Sequence, residues 1–176
     1  MTPRPIPVAR VRAIGLAVAA STFALDQIVK WAMLGPLRLR EVGQIVLLPV
    51  FNFTFTMNTG VSLGLLTAGS DAQRWALVAM TGAIAAVVLV WLLRERRPGD
   101  VAALGLVLGG ALGNILDRVW HGYVVDYADL HFGTFRPFLV FNLADAAISI
   151  GVLIILARSF LSREKRDDAG EPAPES

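Results

Sequence analysis

Carboxylates occur in this sequence where apolar residues otherwise dominate. Asp26 and Lys30 interrupt one apolar stretch, Asn114, Asp117 and Arg118 close another, and Asp145 stands inside a third, with Asp126 in the short connection before it. A carboxylate inside a membrane span costs roughly 2.5–3.5 kcal/mol on insertion scales, so such a residue is a functional suspect by default. Asp126 and Asp145 are the most informative pair. The chain between them leaves one surface and returns to it, so the two side chains can meet. Two adjacent carboxylates share a proton, and one pKa rises. The ionised partner can activate a water, while the protonated partner polarises a carbonyl and then supplies the leaving amine. This is aspartic-protease chemistry, and it needs neither cysteine, metal nor cofactor.

Each polar residue also has a plainer role open to it. Asn142 suits a helix N-cap, which would make Asp145 an ordinary ionised group in a first turn. Asp26 and Lys30 are four apart with the acid first, so they can pair on one helix face, and Lys30 can also snorkel outward. Asp26 is therefore read as structural or supporting. Arg118 is expected to neutralise Asp117 or another nearby carboxylate, leaving Asp117 a positioning group. Gly105, Gly109 and Gly113 form a strip on which membrane helices can touch. Other chemistries find little support. The chain has no cysteine. His121 and His131 lack a helical metal-ligand spacing, no serine is placed to meet Lys30, and no nucleotide-binding glycine loop is present. Nothing suggests nucleic acid, and no cofactor or metal is expected.

The elements that must position these groups follow from composition. Hydrophobic residues make up 55% of the 176 and charged residues 17%, against about 25% charged in soluble domains. Mean hydropathy is +0.61. An all-α membrane protein is expected, with four transmembrane helices near 13–34, 75–93, 101–120 and 138–157, since about 20 residues cross a bilayer. The first stretch has a rival reading: Arg4, Arg10 and Arg12 before an apolar run ending in Ala17-Val18-Ala19 resemble a cleavable signal peptide. The apolar run continues to Leu34, which favours a retained span. Arg4, Arg10 and Arg12, then Arg94, Arg96 and Arg97, then Arg158, Arg163, Lys165 and Arg166 mark alternate segments. By the distribution of basic charge, both termini should be cytoplasmic. Trp31, Trp75, Trp91 and Trp120 fall near span ends, where an amphipathic ring prefers the interface. Residues 1–161 form one integral-membrane domain in this reading, and the charged tail from Ser162 to Ser176 is expected to be disordered and dispensable.

The connections that should face outward carry strand signals. Phe51 to Asn58 alternates apolar and polar residues without a break, Leu37 to Arg40 alternates too, and Tyr123 to Tyr127 is strand-like. A small extracytoplasmic β-sheet between helices 1 and 2, with one oily face, is expected. Asn58-Thr59-Gly60 ends the strand, with Gly64 and Gly69 beyond it.

Five ordered motifs resemble the bacterial lipoprotein signal peptidases (signal peptidase II): Asp26-Gln27-Ile28-Val29-Lys30, Asn58-Thr59-Gly60, Gly109 to Arg118, Gly122 to Tyr127, and Phe141-Asn142-Leu143-Ala144-Asp145. The resemblance covers nearly all of the membrane part. It implies an intramembrane aspartic endopeptidase that cleaves a prolipoprotein signal peptide before the diacylglyceryl-modified cysteine. On this matching Asp126 and Asp145 are the catalytic pair, and Asp26, Lys30, Asn58, Gly60, Asn114, Asp117, Arg118 and Asn142 shape and support the site. The sheet would be a cradle for substrate and lipid. The implied partners are lipid-modified precursors and membrane lipids. The implied setting is the cytoplasmic (inner) membrane, with the site near its outer face and the chain a monomer. One departure is Ser62-Leu63-Gly64, where the family usually has Ala-Phe-Gly. The alternative is a proton-coupled small transporter or channel subunit, since intramembrane carboxylates also build relays; it would need polar residues along the whole path.

Overall fold

A computed structural model describes residues 6–60 and 71–167, with side chains described to residue 161. Ser62, Leu63, Gly64 and Gly69 lie outside the described residues. In chain order the elements are α1 (Val8–Leu34), α2 (Leu39–Val42), β1 (Gln44–Leu48), β2 (Phe51–Asn58), α3 (Asp71–Arg94), α4 (Pro98–His121), β3 (Val124–Leu130) and α5 (Leu143–Asp167). Four of the helices are long and apolar enough to cross a membrane. All four tryptophans point outward.

α4 is the central helix and packs against α1, α3 and α5. Its glycines make this possible. A Cβ on Gly105 would meet Val18 at 3.0 Å, one on Gly109 would meet Thr22 at 2.7 Å, and one on Gly110 would meet Ile148 at 2.9 Å. Bare backbone therefore brings α1 and α5 close, as expected for small-residue packing in lipid. Away from the sheet the interior is apolar, with Val11, Ala19, Ala85, Leu92, Val101, Leu104 and Leu108 buried together. At the far end Pro98 occupies the first turn of α4, and Arg158 pairs with Asp100.

The sheet has three antiparallel strands in the order β1-β2-β3. Two strands come from the α1–α3 connection. The third comes from the α4–α5 connection, so the sheet ties both connections together at one end of the bundle. β2 and β3 pair Asn52 with Asp129, Thr56 with Asp126 and Asn58 with Val124, around an irregularity between Phe53 and Thr56. Phe51, Phe53, Phe55 and Tyr127 gather with Met33 and Leu39 into an oily cluster between sheet and helices.

Three expectations need correction. Leu37–Arg40 is not a strand: Arg38 takes a left-handed conformation (φ 48°) and Leu39 opens the short α2. Leu39 is buried beneath the sheet, and the Gly43 N–H returns to its carbonyl, so four alternating residues described a turn with one apolar anchor. The first edge strand is instead Gln44–Leu48. The fourth span begins at Leu143 rather than residue 138, because Phe141 pairs with Ala128 as an isolated bridge and holds the chain extended. Finally, α5 runs through to Asp167, past the expected tail boundary at Ser162.

Candidate active site

A helix begins with four N–H groups that have no partner within it. At the start of α5 all four are satisfied. Leu143 donates to the Tyr127 phenol oxygen (3.1 Å), Ala144 to Asp26 Oδ1 (3.0 Å) and Asp145 to Asn142 Oδ1 (2.9 Å), and the fourth group, on Asn142 itself, is taken up by Asp145, while Ala146 opens the helix ladder by donating to the Asn142 carbonyl (3.2 Å). The Asn142 N–H donates back to Asp145 Oδ2 at 3.2 Å, a reciprocal cap. Asn142 is thus the N-cap, and that role does not isolate Asp145. Asp145 Oδ1 also accepts from Asn114 Nδ2 at 2.8 Å. The Asn142 side-chain amide reaches the other aspartate, donating to Asp126 Oδ1 at 2.7 Å.

Asp126 is held from its other side by Asn58, whose Nδ2 donates to Oδ2 at 3.0 Å. Asn58 is itself oriented by the Gly60 N–H, which donates to Asn58 Oδ1 at 3.0 Å. Gly60 has φ +90°, and a Cβ there would collide with Leu77, so glycine is required for this turn. With its oxygen occupied by Gly60, the Asn58 amide presents its nitrogen to Asp126.

Beneath the pair lies a buried ionic cluster. Lys30 Nζ is 2.8 Å from Asp26 Oδ2 and 2.8 Å from Asp117 Oδ2, and it donates to Asn114 Oδ1 at 3.2 Å. Asp26 and Asp117 each spend an oxygen on backbone beside the other aspartates. Asp26 holds the Ala144 N–H, next to Asp145, and Asp117 holds the Val125 N–H at 3.0 Å, next to Asp126. Gln27 Nε2 links the two, 3.1 Å from Asp26 Oδ2 and 3.2 Å from Asp117 Oδ1. The expected pairing of Arg118 with Asp117 gives way to Lys30. Lys30 reaches Asp117 from α1, whereas among the described residues Arg118 has no carboxylate within 4.0 Å. Its Nε is buried with no hydrogen-bond partner among those residues, its Nη1 is 3.4 Å from the Asn114 carbonyl, and it interacts electrostatically with Asp145, Asp126 and Asp117.

The two aspartates differ in surroundings. Asp126 is 2% exposed, whereas Asp145 is half-buried. Burial, opposed by the Asn58 hydrogen bond and reinforced by the Asp145 charge, pushes the Asp126 carboxyl up to about 6. Asp145 also lines an apolar recess of about 280 Å³ with Phe138, Phe141, Ala146, Ser149 and Ile150, so Asp145 is open to that side.

All ten sequence-selected residues therefore converge at the sheet end of the bundle: Asp26, Lys30, Asn58, Gly60, Asn114, Asp117, Arg118, Asp126, Asn142 and Asp145. Gln27 and Tyr127 join them, although neither was singled out. Gln27 lies between Asp26 and Lys30 in sequence, a signal that could have found it; the bond from Leu143 to Tyr127 has no signature in spacing. His131 instead bonds Asn52 (2.8 Å) and His121 rests against Tyr123, its ring centroid 5.9 Å away. Among the described residues the polar groups do not continue as a path. Beyond Thr22 the interior residues named above are apolar, contrary to what a proton relay through the bundle requires.

Fold and site define a membrane-embedded bundle with two linked carboxylates at one end. Residues 18–161 match the family model described as signal peptidase (SPase) II. The chain is 55% identical over 155 residues to a lipoprotein signal peptidase of Sphingopyxis alaskensis, covering 88% of this chain and 90% of that protein. It is 56% identical over 155 residues to one of Rhizorhabdus wittichii, with the same coverage of 88% and 90%. A solved bacterial membrane enzyme, determined by the in meso method, superposes with a TM-score of 0.69 at 26% identity, covering 82% of this chain and 90% of that one. A second, at 24% identity and the same TM-score of 0.69, covers 92% of this chain and 94% of that one and supports the fold alone. The chain belongs to the signal peptidase II family, and is therefore a protease.

Proposed function

We propose that this protease is an aspartic endopeptidase of the bacterial inner membrane, with Asp126 and Asp145 as its catalytic pair. As a signal peptidase II it removes the signal peptide from prolipoproteins, and in this reading it cuts before the diacylglyceryl-modified cysteine. The observation that carries the aspartic assignment is the double role of Asn142. One residue donates to Asp126 from its side chain (2.7 Å) and to Asp145 from its backbone (3.2 Å).

The surroundings support distinct roles for the two. Asp126, buried and with its pKa raised to about 6, carries the shared proton. Asp145, half-buried and accepting two hydrogen bonds, is the ionised base. Asp145 takes a proton from water as the water oxygen attacks the scissile carbonyl carbon, and Asp126 gives its proton to the carbonyl oxygen. The resulting diol collapses: the proton on Asp145 passes to the leaving nitrogen, the C–N bond breaks, and a diol hydroxyl returns its proton to Asp126. Arg118, whose Nε–H has no hydrogen-bond partner among the described residues and which interacts electrostatically with both carboxylates, is suited to holding the peptide carbonyl. The apolar recess beside Asp145 takes a peptide arriving from the lipid side. In this reading, supported by the distribution of basic residues, both termini face the cytoplasm, the site lies near the outer face, and one chain is sufficient for the chemistry.

Asp126→Asn and Asp145→Asn, purified and incubated with a lipidated precursor, test the pair. Each should lower turnover ~10²–10⁴-fold, the range general acid–base catalysis supplies, while the protein still inserts and accumulates. Near-parental processing by either variant refutes the assignment.

A further inference from the structure

Tyr127 directly follows Asp126, and Leu143 precedes Asp145 by two residues. The phenol oxygen accepting the Leu143 N–H at 3.1 Å therefore closes a loop of chain whose two ends are flanked by the carboxylates. The Tyr127 ring cannot yield. It is 5% exposed, packs edge-on against Phe53 with centroids 6.1 Å apart, and belongs to the cluster with Met33 and Leu39. The backbone on the same side is fixed as well, since the Tyr127 and Ala128 N–H groups both donate to the Phe141 carbonyl, at 3.1 and 2.7 Å. A phenylalanine would fill the same space, and among the described residues the hydroxyl adds only this bond. Burial pushes the phenol up to about 12, so the group stays neutral at working pH and its oxygen remains an acceptor.

We propose that Tyr127 is a positioning residue for hydrolysis: by holding the Leu143 N–H, its phenol oxygen fixes the first turn of α5 against β3 and sets the separation of the Asp126 and Asp145 carboxylates. The inference rests on the aspartic reading above. The remaining first-turn ties, from Asp26 and Asn142, come from α1 and from the residue preceding the helix. Among the described residues, only the Tyr127 side chain ties the first N–H of α5 to the strand that carries Asp126.

Tyr127→Phe removes the bond and keeps the ring. Turnover should fall about tenfold, since a 1 Å misplacement of a reacting group costs on the order of 10²-fold and this shift is smaller. KM should hold, because the buried ring meets no substrate. A wider pair also couples more weakly. The charged groups facing Asp126 are Asp145 on α5, Arg118 on α4 and Lys30 on α1, and only Asp145 moves. The alkaline limb of the pH–rate profile should therefore shift to lower pH.

Leu143→Pro deletes the donor instead, and proline is accepted at a first helical position. If both act on one bond, Tyr127→Phe/Leu143→Pro should turn over no more slowly than the Leu143→Pro single variant. Parental kcat and pH profile in Tyr127→Phe, a lowered thermal midpoint with unchanged kcat, or multiplicative losses in the double variant would each overturn the proposal. Asp126→Asn and Asp145→Asn in the same assay keep the questions apart. If they are inactive while Tyr127→Phe is parental, only the positioning role fails; if they are active, the catalytic pair itself fails.

Discussion

Lys30→Met tests the ionic cluster beneath the site. The side chains of Lys30, Asp26 and Asp117 are 4%, 0% and 2% exposed, and the ammonium is 2.8 Å from each carboxylate. Their summed charge is −1. Methionine keeps the length of the side chain but leaves two buried carboxylates facing each other with charge −2. Removing one partner from a buried ion pair costs about 3–5 kcal/mol, because the remaining charge is left uncompensated. That is a large share of the ~5–15 kcal/mol by which a domain is stable. Both displaced carboxylates hold backbone beside the proposed catalytic residues, through Ala144 and Val125, so processing should fall with stability. The diagnostic step is a second substitution. Lys30→Met/Asp26→Asn returns the summed charge to −1, and the new amide oxygen can still accept the Ala144 N–H. The double variant should therefore be more stable than Lys30→Met by about 1–2 kcal/mol, within the range measured for coupled neighbours. Thermal unfolding in detergent, run beside precursor cleavage, reads both quantities. Parental stability in Lys30→Met, or a double variant weaker than either single one, would refute the charge argument.

Two further outcomes follow from the same geometry. A Cβ on Gly113 would fall on Asp26 Oδ2, with Asp26 Cγ at 3.2 Å, whereas one on Gly82 meets nothing within 4 Å. Gly113→Ala should then cost ~1–3 kcal/mol as overpacking does and depress cleavage, with Gly82→Ala close to parental; equal behaviour of the two in unfolding and cleavage assays would contradict the packing account. The second concerns pH. The Asp126 carboxyl is raised from 3.8 to about 6, so the proton it holds is present below that value and lost as pH rises through it. kcat/KM should fall tenfold per unit on the alkaline side, with a midpoint near 6 in the free enzyme. By the same sign, the raised pKa contributes stability that is fully present below 3.8 and lost as pH rises through about 6. A flat pH–rate profile across that interval would remove Asp126 as the acid.

The parts of this molecule that were legible in its sequence are those fixed by the solvent. A bilayer demands long apolar helices, and it makes every internal Asp, Asn and Lys conspicuous, which is why Asp26, Lys30, Asn114, Asp117 and Asp145 could be read from residue type and place, whereas Asn58 and Gly60 joined the site through the family resemblance. Phe51–Asn58 was legible because eight alternating residues leave few other conformations. Leu37–Arg40 misled because four alternating residues fit a turn equally well, and the left-handed Arg38 carries no mark in composition. The start of α5 was placed early since Phe138 to Val140 are apolar, yet the Phe141–Ala128 bridge, a contact between residues 13 apart, decides the boundary. Partner choice was the least legible. Lys30 and Arg118 are both cations near Asp117, and only the close approach of α1 to α4 over Gly109 and Gly113 selects the lysine.

That close approach also explains why the site sits at the start of a helix. A carboxylate near the hydrocarbon needs donors, and a helix N-terminus offers four N–H groups together with the positive end of its dipole. Those same N–H groups would be costly if left unpaired in so apolar a setting. Asp26, Asn142 and Tyr127 each meet one of these needs, and the N–H groups they occupy belong to Leu143, Ala144 and Asp145. Satisfying the helix end and positioning Asp145 are therefore a single requirement. A substitution that uncaps α5 without touching either aspartate should cost activity as readily as stability.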